Sequence, residues 1–126
     1  MADSVVVMVS SPSPQALSTA LDLSAAAVAL EMELHLYFTG EAVVWVGRPD
    51  DGAPNPERSE RDAIRKNVAE RLRELKQDGA VNVYACSGAM KAQGIPQERL
   101  APEVDMPAGF VYILDLASRA SITLNF

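Results

Sequence analysis

Ser4-Val5-Val6-Val7-Met8-Val9 is a β-branched apolar run that stops at Ser10-Ser11-Pro12. A strand with one wet face alternates apolar and polar residues. This run does not, so it reads as a strand buried on both faces, of the kind found at the centre of a parallel sheet. Ser13 then suits an N-cap and Pro14 the first turn of a helix. From Gln15 to Glu31 apolar residues cover nearly the whole circumference, interrupted mainly by Ser18, Thr19 and Asp22. That predicts a helix covered more deeply than a simple surface helix, in part by another subunit.

The pattern then alternates. Leu34-His35-Leu36-Tyr37-Phe38 reads as a second strand ending at Thr39-Gly40, and Ala42-Val43-Val44-Trp45-Val46 as a third short strand or an extended segment. Gly47 to Pro56 is a turn-rich surface loop. Glu57 to Asp78 is an amphipathic helix: Ile64, Val68, Leu72 and Leu75 recur at helical spacing, and Gly79 is placed to stop it. Its charges, including the Glu57/Arg61 and Asp62/Lys66 pairs, read as a solvated face. Val81-Asn82-Val83-Tyr84-Ala85 is another strand, followed at Cys86-Ser87-Gly88 by a short helix through Gln93. After a helical turn near Gln97–Leu100 and an irregular stretch through Met106, Pro107 opens an apolar helix to about Arg119. Ile122 to Phe126 closes the chain as a strand. Strands separated by helices imply an α/β fold, a mainly parallel sheet of about five strands with helices on both faces. In such sheets ligands bind beyond the carboxyl ends of the strands, here Ser10-Ser11, Phe38-Thr39-Gly40 and Cys86-Ser87-Gly88.

At 126 residues the chain is expected to be a single domain, residues 1–126, large enough to bury a core without disulfide or metal support. Its composition, 48% hydrophobic and 22% charged, is that of an ordinary globular protein. Net charge is −6 and no Lys or Arg precedes Arg48, which argues against nucleic acid or an anionic membrane surface as partner. The longest apolar run, Ala25 to Leu30, is far short of the roughly 18 residues a membrane span needs. The N-terminal stretch lacks the basic region of a signal peptide, and one cysteine permits no internal disulfide. Both suit a cytoplasmic location.

Cys86 is that one cysteine. At a helix N-terminus it faces unpaired backbone N–H groups and the positive end of the helix dipole, both of which favour thiolate. The alternative is an inert buried thiol, a common state for a lone cysteine. Lys91, about a turn on, is placed to add positive potential. Glu41, after the second strand, is placed to face the same cleft, where it would relay protons or raise the thiol pKa. Ser11 and Thr39 offer hydroxyl donors at neighbouring strand ends, although turn and capping roles explain them equally well. His35, the single histidine, has no second histidine or cysteine nearby in sequence, so no metal site is expected and a structural role is favoured. Tyr37, Phe38 and Trp45 read as core or subunit-interface residues. There is no GxGxxG or P-loop, Ser87-Gly88 is too short for a phosphate fingerprint, and no cofactor is expected.

Tyr84-Ala85-Cys86-Ser87-Gly88-Ala89-Met90, continuing to Gly94-Ile95, resembles the strand–cysteine–helix element of the DsrE/DsrF-like sulfur-relay family, whose small stand-alone members are often labelled peroxiredoxin-like. Leu36-Tyr37-Phe38-Thr39-Gly40 is similar to that family's second strand and aromatic exit. Glu103-Val104, Ala108-Gly109 and the closing strand to Phe126 match its terminal pattern. The resemblance implies a three-layer α/β/α sandwich, homo-oligomers, and a cysteine that carries sulfur as a persulfide between partner proteins, a donor and an acceptor. On this sequence that cysteine is Cys86, with Ser11, Thr39, Glu41, Ser87, Gly88 and Lys91 as candidate pocket residues. The peroxiredoxin label finds no support, since the peroxidatic cysteine follows a threonine by three positions and Val83 stands there. A single thiol also excludes thiol–disulfide chemistry with an internal resolving cysteine. The competing reading is a non-catalytic oligomeric assembly module on the same fold.

Overall fold

Ser4–Val9 forms β1, an inner strand of the five-stranded sheet in the computed structural model, which describes residues 3–49 and 56–126. The other strands are β2 (Glu33–Phe38), β3 (Val81–Cys86), β4 (Met106–Ala108) and β5 (Ile122–Asn125), in the order β4-β3-β2-β1-β5 with every neighbouring pair parallel. The helices are α1 (Pro14–Ala29), α2 (Pro56–Asp78), α3 (Ser87–Ala92) and α4 (Phe110–Arg119). Val5, Val6, Val7 and Val9 are all buried, as the unalternating run requires.

The two sheet faces differ. Tyr37 and Tyr84 are paired in register and pack edge-on against Phe110 and Tyr112 of α4. By strand alternation Glu33, His35, Asn82 and Cys86 share that face. The opposite face carries Val5, Val7, Val9, Leu34, Leu36, Phe38, Val83 and Ala85, and packs against α1 and α2. This is the expected three-layer sandwich.

Local chemistry sets the element ends. The Ser13 side chain accepts from the Ala16 N–H at 3.4 Å, capping α1 as expected. Gln93 caps α3; Gly94 then takes a left-handed φ of +68° and the Ile95 N–H returns to the Met90 carbonyl at 2.8 Å, a Schellman stop. The Gly79 turn is different: its φ is not left-handed, and a Cβ there would stand 2.9 Å from Val28 Cγ1, so glycine is needed for close approach to α1.

Two expected elements are corrected. Gly40–Val46 is a 3₁₀ helix, not a strand: Gly40, at φ +56°, turns the chain out of the sheet, and the 3₁₀ turns drive Ala42, Val43, Trp45 and Val46 into the core. Pro107 does not open a helix. It lies in β4, an edge strand where the missing N–H breaks no ladder, and α4 begins at Phe110. Within the chain, α1 is covered on one side only, burying Leu17, Ala20, Leu21, Ser24, Ala27 and Val28 and exposing Leu23 and Leu30. Most of the Gly47–Pro56 loop and the Glu57 side chain lie outside the described residues. Asp62 reaches Arg65 at 3.2 Å rather than Lys66. Among the described residues no helix is long and apolar enough to cross a membrane.

Gly40 tests this account. A Cβ there would meet the Ser10 carbonyl oxygen at 3.2 Å in a backbone conformation that L-residues disfavour. Gly40→Ala is expected to cost about 1–2 kcal/mol, while Glu31→Gly, relieving a non-glycine φ of 59°, gains up to about 1 kcal/mol. Urea denaturation midpoints of the two variants check both signs.

Candidate functional site

Cys86 ends β3 and is the N-cap of α3, at φ −63° and ψ 118°. The first-turn N–H groups of Ala89 and Gly88 therefore lie at its end of the helix and favour the thiolate, although the side chain makes no capping hydrogen bond. Strand β2 supplies the remaining donors. Because Phe38 pairs with Ala85, the next step along β2 carries Thr39 beside Cys86, and alternation puts Tyr37 on the same face. The Thr39 and Tyr37 hydroxyls both favour the thiolate, although the Tyr37 hydroxyl itself donates to the Ala108 carbonyl at 3.2 Å. Gly88 is exposed, and a Cβ built on it would come 4.0 Å from Cys86 Sγ, so a larger side chain there would lie against the sulfur.

Two opposing effects set the state of the thiol. Cys86 is 3% exposed, and burial pushes the thiol up. The hydrogen bonds from Thr39, Tyr37, Ala89 and Gly88 favour the anion and outweigh it, so the thiol titrates below its ordinary value. The magnitudes agree: hydrogen bonds to a charged group contribute about 1.5–3 kcal/mol each, and several together match the several kcal/mol lost on desolvating an ion. Tyr37 is fully buried, and burial with the neighbouring sulfur pushes its phenol far up, so it stays a protonated donor. Its single proton faces two acceptors, Cys86 and the Ala108 carbonyl at 3.2 Å.

The candidate residues divide. Thr39 and Gly88 are at the sulfur, and Ser87 follows it, exposed, with its Oγ 3.9 Å from a Cβ built on Gly109 at the start of α4. Ser11 is elsewhere: its Oγ accepts from the Ser13 N–H at 3.2 Å, while the Ser10 and Ser11 N–H groups both hold the Phe126 carbonyl. That strand end is closed by the chain itself. Glu41 is exposed in the first 3₁₀ turn and Lys91 is exposed in the last turn of α3; neither acts on the sulfur. Sequence reasoning missed Tyr37 as a sulfur ligand. The available signal was its period-two relation to Thr39, usable only once β2 is known to neighbour β3.

His35 has the structural role expected of it. Its Nε2 faces Glu33 at 3.3 Å and its Nδ1 meets the Tyr84 hydroxyl at 3.0 Å. With the proton on Nε2, Nδ1 accepts from Tyr84. Burial holds the imidazole below its ordinary value, Glu33 drawing it up and Arg119 pushing it down. Among the described residues no group of three or more His, Cys, Asp and Glu is placed to hold a metal.

The DsrE/DsrF-like family profile matches residues 3–126. The chain belongs to the DsrE/DsrF-like family. Two solved structures share the DsrE-like fold over nearly all of both chains. The ychN protein from E. coli is 20% identical with a TM-score of 0.70, covering 100% of each chain. The protein of unknown function MTH1491 from Methanobacterium thermoautotrophicum is 14% identical with a TM-score of 0.75, covering 98% of this chain and 99% of its own. Among curated proteins no relative is found. Membership of the DsrE/DsrF-like family points to sulfur-relay chemistry in the broad sense.

The donor set makes a pH prediction. Followed by ultraviolet thiolate absorbance, Cys86 is expected to ionise with a midpoint below the ordinary ~8.5. Thr39→Val raises that midpoint by about one unit, since one unit corresponds to 1.36 kcal/mol. Tyr37→Phe raises it less, because its proton is shared with Ala108. The folded thiol releases its proton before the unfolded one does. Stability relative to Cys86→Ala therefore rises with pH between the depressed midpoint and ~8.5, and is lost as pH falls through that midpoint.

Proposed function

We propose that this protein is a persulfide carrier in sulfur transfer, with Cys86 as the nucleophile. The support for the reading is the place of the thiol, buried at the N-cap of α3, where the Gly88 and Ala89 N–H groups and the Thr39 and Tyr37 hydroxyls lower it below its ordinary value. The Cys86 thiolate attacks the outer, sulfane sulfur of a donor persulfide. A new S–S bond forms to Cys86, the donor's S–S bond breaks, and its electron pair leaves with the donor thiolate. An acceptor thiolate then attacks the outer sulfur and Cys86 leaves as thiolate, so the cycle needs no net oxidant. The second cysteine of a resolving pair has no part in this, in keeping with a chain that has one. Donor and acceptor are proteins, and the exposed Gly88 is where either one reaches the sulfur.

The test is intact mass after incubation with a low-molecular-weight persulfide. The expected result is one added sulfur atom, removed by dithiothreitol and absent in Cys86→Ala. A chain that stays at its starting mass while a rhodanese control is loaded overturns the reading. Gly88→Val, which places atoms over the sulfur, slows loading by about tenfold or more, a loss of about 1.4 kcal/mol in the barrier.

The reading includes association of copies, and here the support is α4. Phe110 is 62%, Val111 86% and Leu114 66% exposed on a helix whose N-terminus adjoins Ser87. The same observation supports the second reading, an assembly module without chemistry, which a thiol midpoint at or above ~8.5 favours. Sedimentation velocity is expected to show an oligomer, and Val111→Asp to shift it toward monomer. A monomeric parent protein removes the oligomer from either reading.

A further inference from the structure

Arg65, Lys66, Glu70 and Arg73 lie along one side of α2, at helical spacings of one, five and eight residues from the first. Across a groove of about 570 Å³ they face Arg48, just after the 3₁₀ helix, and Glu103, in the segment leading to β4. That volume is within the range of small-molecule sites. The charge in it runs against that of the chain. Four of the eleven Lys and Arg residues line the groove against two carboxylates, in a protein of net charge −6.

Two of these four cations have an ion-pair partner among the described residues and two do not. Arg48 donates Nε to the Leu100 carbonyl at 3.0 Å, and Arg65 donates Nε to the Val44 carbonyl at 2.8 Å. These bonds hold each guanidinium in place without neutralising it. Asp62 balances Arg65, but Arg48 and Lys66 have no carboxylate partner among the described residues, and Arg73 comes only within 4.0 Å of Glu103. Glu103 is 8% exposed and has no hydrogen bond among the described residues. Its carboxylate lines the groove beside Arg73 and is placed to accept from a ligand there.

The groove is polarised along its length. Arg65 and Arg73 are eight residues apart, about 12 Å along the helix axis. A Cβ on Gly47 would lie 3.7 Å from Arg65 Nε and Nη2, so the backbone that carries Arg48 runs beside Arg65, and Arg48 Nε reaches on to the Leu100 carbonyl. One end therefore gathers Arg48, Arg65 and Lys66, and the other Glu70, Arg73 and Glu103. Guanidinium forks match the oxygens of a phosphate, and an ammonium adds a point charge. We propose that this groove binds a phosphorylated small molecule, its phosphate held by Arg48, Arg65 and Lys66 and a hydroxyl or amine at its other end donated to Glu103.

Calorimetric titration of the full chain with ribose 5-phosphate, ribose and inorganic phosphate tests it. Ribose 5-phosphate is expected to bind one site at least about tenfold more tightly than either fragment. Lys66→Ala, an exposed position with no partner to lose, weakens it about tenfold, and Arg48→Ala does likewise. Glu103→Gln leaves inorganic phosphate unchanged and removes the advantage of the sugar phosphate. The proposal is overturned if ribose 5-phosphate gives no binding at about 10 mM, or if the Lys66 and Arg48 variants bind as the parent does. It is also overturned if carboxymethylating Cys86 abolishes binding, which would move the anion to the start of α3.

Discussion

The parallel pairing of β2 with β3, Tyr37 against Tyr84 and Phe38 against Ala85, is the contact on which the rest of this protein depends. It joins the two halves of the core, because β2 is the middle strand of the sheet and Leu34, Leu36, Tyr37 and Phe38 are fully buried in it. It also assembles the site, because the thiol comes from β3 and its hydroxyl donors from β2 and the residue just beyond it. A slip of one residue would turn every β2 side chain to the other face. Thr39 and Tyr37 would leave the sulfur and Phe38 would be driven onto the α4 side. The hydrophobic core thus enforces the register that the chemistry needs.

That register favours sulfur anion by dipoles rather than by charge. No cation acts on Cys86, and the chain is acidic overall. Two amides at the start of α3 and two hydroxyls favour the anion from a buried site, where screening by salt has little reach. Tyr37 links this set to the neighbouring strand, since the proton it offers the sulfur is also offered to the carbonyl of Ala108, the residue paired with Cys86 in β4. The site therefore rests on three adjacent strands, each contributing one group to a single hydrogen-bonded unit.

Much of the frame could be read in the chain. The valine run of β1, the Ser13–Pro14 start of α1 and the apolar stripe of α2 each carry a local signal that tertiary structure did not override. Two elements were hidden for opposite reasons. Ala42–Val46 has strand composition, but the left-handed turn at Gly40 removes it from the sheet before it can pair. Met106–Ala108 has a proline that argues against a strand, and only its place at the sheet edge makes that proline harmless. The site was half legible. Cys86 and Gly88 are marked by local sequence and Thr39 by its strand end, but Tyr37 becomes a ligand of the sulfur only through strand order, which no local pattern encodes.

The asymmetry of the sheet bears on how such a site would be used. Five strands at about 4.8 Å spacing make a face about 19 Å wide, and a helix covers about 10 Å of it. Two helices fit the Val and Leu face. On the other, α4 alone lies over Tyr37 and Tyr84, and the groups there satisfy one another, His35 with Tyr84 and Tyr37 with Ala108. The shortfall of cover and the surplus of apolar surface on α4 belong to the same side of the molecule. Burying Val111 and Leu114 would gain about 1.5–3 kcal/mol for each side chain, so the face with least cover is also the one with most to gain from contact. The start of α4 adjoins Ser87, next to the exposed Gly88. A protein that docked on α4 would therefore also lie against the exposed Ser87–Gly88 turn that follows the buried Cys86.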